Sequence, residues 1–231
     1  MSGGLPERTS PVHDALETLG PRWGRVSNMP AALSFAEAEA ERALAAAIGI
    51  ADVSALLRVT VKGPNATSWL HAQGLSVPAA IYDVALLPGG GQVIRTGAEE
   101  IFVEDGLEGS IVPRLEQSLR VLPGGGPYEI IRQDASFFLS GARAAEVLAQ
   151  TCGVDFRQPD DRLVTTRVAG VSAGIRFRKD LFVPVFQLWT DPSFAPYLWK
   201  TLHEIVGDLA GKPAGLCCFW PQLSPAEGMR S

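Results

Sequence analysis

The residue types suited to proton transfer, metal binding and nucleophilic attack are few in this sequence and poorly spaced for such work. His13, His71 and His203 are its only histidines, and none forms an H-x-x-x-H or H-E-x-x-H pair, so metal ligation has no local support. His71 and His203 fall toward the C-terminal ends of expected helices, where a solvated or capping imidazole is the usual role. Cys152 stands alone, Cys217 and Cys218 are neighbours, and no C-x-x-C occurs; all three read as buried or half-buried thiols in a reducing compartment. There is no G-x-S-x-G elbow, P-loop or G-x-G-x-x-G between a strand and a helix. Gly89-Gly90-Gly91 and Gly124-Gly125-Gly126 lead into strands and read as turns, not as phosphate cradles at a helix start. Two carboxylate sites remain. Asp52, in Gly49-Ile50-Ala51-Asp52-Val53-Ser54, is either a ligand-binding or acid/base group or the cap of a turn. Asp160-Asp161, among Arg157, Gln158 and Arg162, reads as a solvated loop. No catalytic, cofactor-binding or metal residue is assigned on these grounds.

Composition sets the surroundings. Of the 231 residues 46% are hydrophobic and 19% charged, and the longest apolar-rich stretch, 43–57, is interrupted by Gly49, Asp52 and Ser54. That falls short of the roughly 20 residues a bilayer requires. The first residues mix both signs of charge without a basic start and apolar run, so a cytoplasmic location is expected. A formal net charge of -5 and no Lys/Arg block argue against nucleic acid.

The elements that must hold these residues follow from periodicity and turn signals. Residues 1–33, rich in Pro, Gly and Ser, read as an N-terminal arm with one helical turn at 13–19. Ser34-Phe35-Ala36-Glu37 has the form of a capping box ahead of a helix at 36–48, with Gly49 as its stop. A first module, 34–126, then shows a strand at 56–61, a helix at 65–73, strands at 81–87, 92–95 and 100–104, and a helix at 110–122. A second module, 127–210, shows strands at 128–132 and 136–139, a helix at 141–152, a hairpin of 163–168 with 171–177, a strand at 181–189 and a helix at 191–210; residues 211–231 form a tail. Trp23 in the arm and Leu216-Cys217-Cys218-Phe219-Trp220 in the tail either anchor a partner or fold back on the core.

The two modules repeat one another. Gly63-x-x-Ala66-x-x-x-Leu70 recurs as Gly141-x-x-Ala144-x-x-x-Leu148, an offset of 78. Ser110-x-x-Pro113-x-Leu115-x-x-x-Leu119 recurs as Ser193-x-x-Pro196-x-Leu198-x-x-x-Leu202, an offset of 83. Glycine permits the sharp strand-to-helix turn, alanine lets the helix approach the sheet, leucine fills the gap, and serine caps the helix start. These marks belong to folding and carry no chemistry. The fold class is α+β, built by duplication of a strand-helix-strand unit.

Gly49-Ile50-Ala51-Asp52-Val53-Ser54 followed by Arg58-Val59-Thr60-Val61-Lys62-Gly63-Pro64-Asn65-Ala66 resembles the start of the folate-binding aminomethyltransferase fold of the glycine cleavage T protein. Phe138-Leu139-Ser140-Gly141-Ala142-Arg143-Ala144 is similar to that family's second-module strand and turn, and Phe182-Val183-Pro184 through Leu202 to its closing strand and helix. The likeness spans roughly residues 34–206 and implies two tandem ferredoxin-like modules without the family's C-terminal barrel. The departures carry the functional expectation. The family's Asn-Asp pair, with its catalytic Asp, is matched by His71-Ala72-Gln73-Gly74-Leu75-Ser76-Val77, which has no acid. Its G-Y-T-G-E segment, whose Glu helps hold folate, is matched by Arg176-Phe177-Arg178-Lys179-Asp180, and the K-G-C-x-x-G-Q-E motif of the iron-sulfur assembly relatives is missing.

A short chain with both modules and no catalytic Asp is similar to the gamma subunits of heterotetrameric sarcosine oxidases and the small subunits of N-methylglutamate dehydrogenases. The resemblance implies a non-catalytic accessory role in a complex that oxidatively demethylates a secondary amine. Its partners would be larger flavoprotein subunits holding FAD, FMN, NAD and tetrahydrofolate, with no cofactor in this chain. The alternative is a stand-alone folate-dependent aminomethyl or one-carbon transferase with Asp52 or Asp83 as its acid.

Overall fold

The computed structural model describes residues 8–224; the outer parts of the expected arm and tail, 1–7 and 225–231, lie outside the described residues. In chain order the elements are α1 (His13–Glu17), β1 (Arg22–Val26), β2 (Met29–Ser34), α2 (Ala38–Ala47), β3 (Gly49–Asp52), β4 (Arg58–Lys62), α3 (Ala66–Ala72), β5 (Val84–Leu87), β6 (Gly91–Gly97), β7 (Glu100–Glu104), α4 (Ile111–Arg120) and β8 (Tyr128–Ile131). They continue as β9 (Ala135–Ser140), α5 (Ala144–Thr151), β10 (Val164–Val168), β11 (Val171–Arg178), β12 (Val185–Thr190), α6 (Ala195–Asp208) and β13 (Lys212–Pro213).

The duplication is visible in the sheets. One has strand order β5-β6-β7-β4-β8 and the other β10-β11-β12-β9-β3-β13, so the first four strands correspond one to one in each repeat. No sheet among the described residues closes into a barrel. Gly63 and Gly141 sit at φ +109° and +91° in the equivalent turns after β4 and β9, where a side chain is strained. Ala66 and Ala144 are buried beneath the helices that follow, and Leu70 and Leu148 are fully buried one turn later.

The linear division at residue 126 does not separate the sheets. β3 precedes the first repeat yet pairs with β9, while β8 precedes the second repeat yet pairs with β4. Each sheet thus takes its next strand from the segment leading into the other repeat. Backbone pairing joins the modules, because an edge left beside β4 or β9 would expose a row of unpaired peptide groups.

The described parts of the arm and tail, 8–33 and 211–224, fold back on the core. β1 and β2 form an antiparallel hairpin where an extended arm was expected. Val26, Met29 and Leu33 of that hairpin share a buried cluster with Phe138 and with Leu216, Phe219 and Trp220 of the tail. Phe138 meets Phe219 edge-on at 5.1 Å, and Trp23 is half-buried against His13 at 4.7 Å. Phe219 and Trp220 are therefore core residues, and Trp23 packs against the edge of the core.

Helix starts are also capped differently from the sequence pattern. Ser34 ends β2, and the Glu37 carboxylate accepts the N–H groups of Glu39 and Ala40 at 3.0 and 3.2 Å. Gly49 opens β3, since Ile48 has already turned extended. At α4 the cap is Asp105, which accepts from the Ile111 and Val112 amides at 3.1 and 2.8 Å; before α6 it is Asp191, which accepts from Ser193 at 2.8 Å. Asp105 thus satisfies the free amides that Ser110 was expected to cap, while Asp191 caps the short turn containing Ser193 and no side chain caps α6 itself.

Candidate functional site

The sheets face one another, and near one end the space between them is filled by a polar network. Glu104, fully buried on β7, accepts from Arg58 Nε at 2.9 Å, Gln92 Nε2 at 2.8 Å, Gln187 Nε2 at 2.8 Å and Trp189 Nε1 at 2.7 Å. Arg58 also donates to the carbonyls of Asp134 and Val53. Gln92 accepts from Arg176 at 2.8 Å, and Gln187 accepts from Arg178 at 2.9 Å. Arg178 reaches the Gly90 carbonyl at 2.7 Å and binds Asp180 at 2.6 Å. A buried charge needs this density of partners, since an unpaired one costs several kcal/mol. Burial, then the neighbouring Arg178, bring Arg176 down to about 10. Burial alone would raise Asp180, but its bond to Arg178 and the charges of Arg178 and Arg176 outweigh that and hold it below the usual carboxylate range.

Beyond the network the sheets splay into an open cleft of about 610 Å³. Ile94, Phe102, Leu163 and Trp189 form its apolar floor, with Phe102 and Trp189 edge-to-face at 5.7 Å. Most charges on its rim are engaged. Arg132 is bidentate to Asp134 at 2.7 and 2.8 Å and lies 5.4 Å from the Phe102 ring. Glu100 binds Lys62 at 2.7 Å, and that bond holds its carboxyl low. Asp191 accepts from Ser193. The guanidinium of Arg167, exposed on β10, has no hydrogen bond or ion pair among the described residues. The cleft thus pairs an apolar floor with one free cation, a combination that suits an amphipathic anion.

Asp52 is buried, accepts from the Ser54 amide at 3.1 Å and hydroxyl at 2.6 Å, and so caps a turn. Burial raises its pKa against the bonds from Ser54 and Ser10. Asp83 is paired with Arg162 at 2.8 Å. Asp160 and Asp161 lie in an exposed loop. His71 is exposed in the last turn of α3, but His203 is mid-helix and stacked on Trp199 at 6.1 Å, not near the end of α6. Cys217 and Cys218 are buried and Cys152 half-buried; burial, with Glu41 beside it, pushes the Cys218 thiol up to about 12. The residues that sequence reading passed over are Glu104, Gln92 and Gln187. Their signal was a polar residue set inside an apolar strand, as in Val185-Phe186-Gln187-Leu188-Trp189.

Comparison with known proteins places this arrangement. The sequence is 25% identical over 225 residues to an aminomethyltransferase of Saccharopolyspora erythraea, covering 91% of this chain and 61% of that protein. The crystal structure of glycine cleavage system aminomethyltransferase T from Bartonella henselae superposes with a TM-score of 0.70 at 19% identity, over 92% of this chain and 61% of that one. The chain has the aminomethyltransferase T fold. A chain of heterotetrameric sarcosine oxidase from Corynebacterium sp. U-96, solved in complex with pyrrole 2-carboxylate, shares that fold with a TM-score of 0.59 at 19% identity, over 75% of this chain and 93% of that one. No family model matches. Within the T fold this chain spans about three fifths of the length of both aminomethyltransferases. Among its described residues no helix is long and apolar enough to cross a membrane, and no three metal-ligating side chains come together.

Proposed function

We propose that the chain is a non-catalytic, gamma-like accessory subunit of a hetero-oligomeric, flavin-dependent complex that oxidatively demethylates an N-methyl amine, of the sarcosine oxidase or N-methylglutamate dehydrogenase kind. The observation that carries the proposal is the occupied centre. Where the T-protein resemblance leads one to expect the folate-holding Glu, Arg176 and Arg178 enter the space between the sheets and are bonded to Gln92, Gln187 and Asp180. The sarcosine oxidase chain supports the reading, because alignment to this fold covers 93% of it. On this reading FAD, FMN, NAD and tetrahydrofolate belong to larger flavoprotein subunits in the cytoplasm, and this chain contributes surface and rigidity.

Co-expression with candidate flavoprotein subunits of the sarcosine oxidase kind tests the proposal by size-exclusion chromatography and amine-oxidation assay. Co-elution, with loss of assembled complex when this chain is omitted, is expected. A chain that elutes alone, beside a complex that assembles and turns over without it, overturns the reading.

The open cleft favours a second reading, a stand-alone folate-dependent aminomethyl or one-carbon transferase. Its apolar floor and the free Arg167 suit a ring system bearing a carboxylate. Neither Asp52, held by Ser54, nor Asp83, held by Arg162, is a free acid. Calorimetric titration with tetrahydrofolate decides this reading: measurable heat that disappears in Arg167→Ala supports it, and no heat rejects it.

A further inference from the structure

The outer edge of β8 ends the five-stranded sheet, so alternate N–H and C=O groups of Tyr128–Ile131 point away from β4 with no strand beyond them among the described residues. The edge contains no Pro, Lys or bulge to discourage further pairing; its only charge is Glu129, on a strand of four residues. Exposed apolar side chains stand on both faces of the strand and at the end of the helix packed on it. Tyr128 is 51% exposed, Ile131 66%, and Val121 at the end of α4 80%. The other edges of the two large sheets differ. β10 is bridged on its outer side through Val168 to Cys152, β13 is two residues long with Pro213 lacking an N–H, and β5 shows one exposed apolar side chain, Leu86.

Charge says what would lie there. Glu129 and Ile131 oppose Val61 and Val59, so both occupy the face of the sheet that α4 covers. The Glu129 Oε2 atom is buried without a hydrogen-bond partner. Glu116 on α4 is close enough that, after burial, the Glu129 charge is what raises its pKa, with Arg120 opposing. The other cations near this edge are engaged, Arg132 by Asp134 and Lys62 by Glu100. A second copy of this chain would bring another such carboxylate pair to the edge, and like charges oppose that pairing.

We infer that β8 is a docking edge for an extended segment of a partner subunit, which adds a strand and places a basic side chain beside Glu129 and an apolar one, two residues away, beside Ile131. Main-chain hydrogen bonds supply the attachment, and the Glu129/Ile131 pair supplies register and selectivity. The inference rests on the accessory-subunit reading and gives that subunit its contact.

Hydrogen–deuterium exchange on the free chain and on the complex co-expressed with the flavoprotein subunits tests it, together with Glu129→Lys/Ile131→Lys in the full chain. The expected result is amide exchange across 128–131 slowed at least tenfold in the complex, and at least tenfold weaker assembly for the double variant with an unchanged melting curve. Glu108→Lys, exposed and away from this edge, should assemble as wild type. A complex that forms with 128–131 exchanging as in the free chain overturns the docking edge and leaves the accessory role standing. Protection that grows with concentration of the chain alone identifies self-association and also overturns it. Absence of any complex overturns both.

Discussion

At the scale of single residues, Glu104 and Asp52 show how differently two buried acids behave. Glu104 takes four donors from three strands, one of them the buried Arg58. Glu104→Gln removes the negative charge and puts an amide donor among those donors, leaving Arg58 uncompensated. A loss of about 3–5 kcal/mol is expected in urea unfolding. Asp52 has a raised pKa, with burial as the main cause. Its folded form prefers the proton, so its contribution is complete below the usual Asp range near 3.9 and is lost as pH rises through the folded value. Asp52→Asn keeps an oxygen for Ser54 and removes the titration. Melting temperatures of the two proteins from pH 3 to 8 should therefore diverge in favour of the Asn variant as pH rises, and a constant difference would show that Asp52 does not titrate differently on folding. The turn-cap role of Asp52 was readable from Asp52-Val53-Ser54, because the partner is two residues away. Glu104 was not, because its partners lie 12, 46, 83 and 85 residues distant.

At the scale of elements, the repeated glycine shows how a local mark acquires a tertiary reason. Gly141 has φ +91°, and a Cβ there would lie 2.5 Å from the Ala47 carbonyl carbon at the end of α2. Gly141→Ala should cost about 3 kcal/mol from the left-handed backbone and the clash together. Gly74→Ala, at φ +82° with nothing within 4 Å, should cost only about 1 kcal/mol. Equal losses in parallel denaturation curves would mean that the α2 contact carries no energy. The Gly-Ala-Leu spacing announced a strand, a turn and a helix, and all three stand as read at both positions. The capping pattern misled, since Ser34, Ser110 and Ser193 fit a helix start while Glu37, Asp105 and Asp191 do the capping. Cap choice depends on which carboxylate the preceding strand delivers, and that is a three-dimensional fact.

At the scale of the whole molecule, the tail completes the core. Trp220 is 4% exposed and packs on Phe138 at 5.7 Å. Trp220→Ala should lower stability by about 3–5 kcal/mol, and removal of every residue after Ala214 should abolish the cooperative melt, since stabilities of 5–15 kcal/mol cannot absorb loss of Leu216, Phe219 and Trp220 together. A truncated chain that melts as sharply as the full one would show that the tail is dispensable.

What the sequence determined by itself was everything encoded at short range: the α+β class, the order of strands and helices in two repeats, and the absence of familiar catalytic spacings. Each rests on contacts within about one turn of helix or one hairpin, where spacing along the chain and spacing in space coincide. Only the tertiary structure decided that β3 and β8 cross to the opposite repeat, that the β1–β2 hairpin and residues 216–220 join the core, and that Arg176 and Arg178 fill the space between the sheets. Those outcomes follow from long-range strand pairing and the need to satisfy buried charge, and neither leaves a periodic trace in the chain.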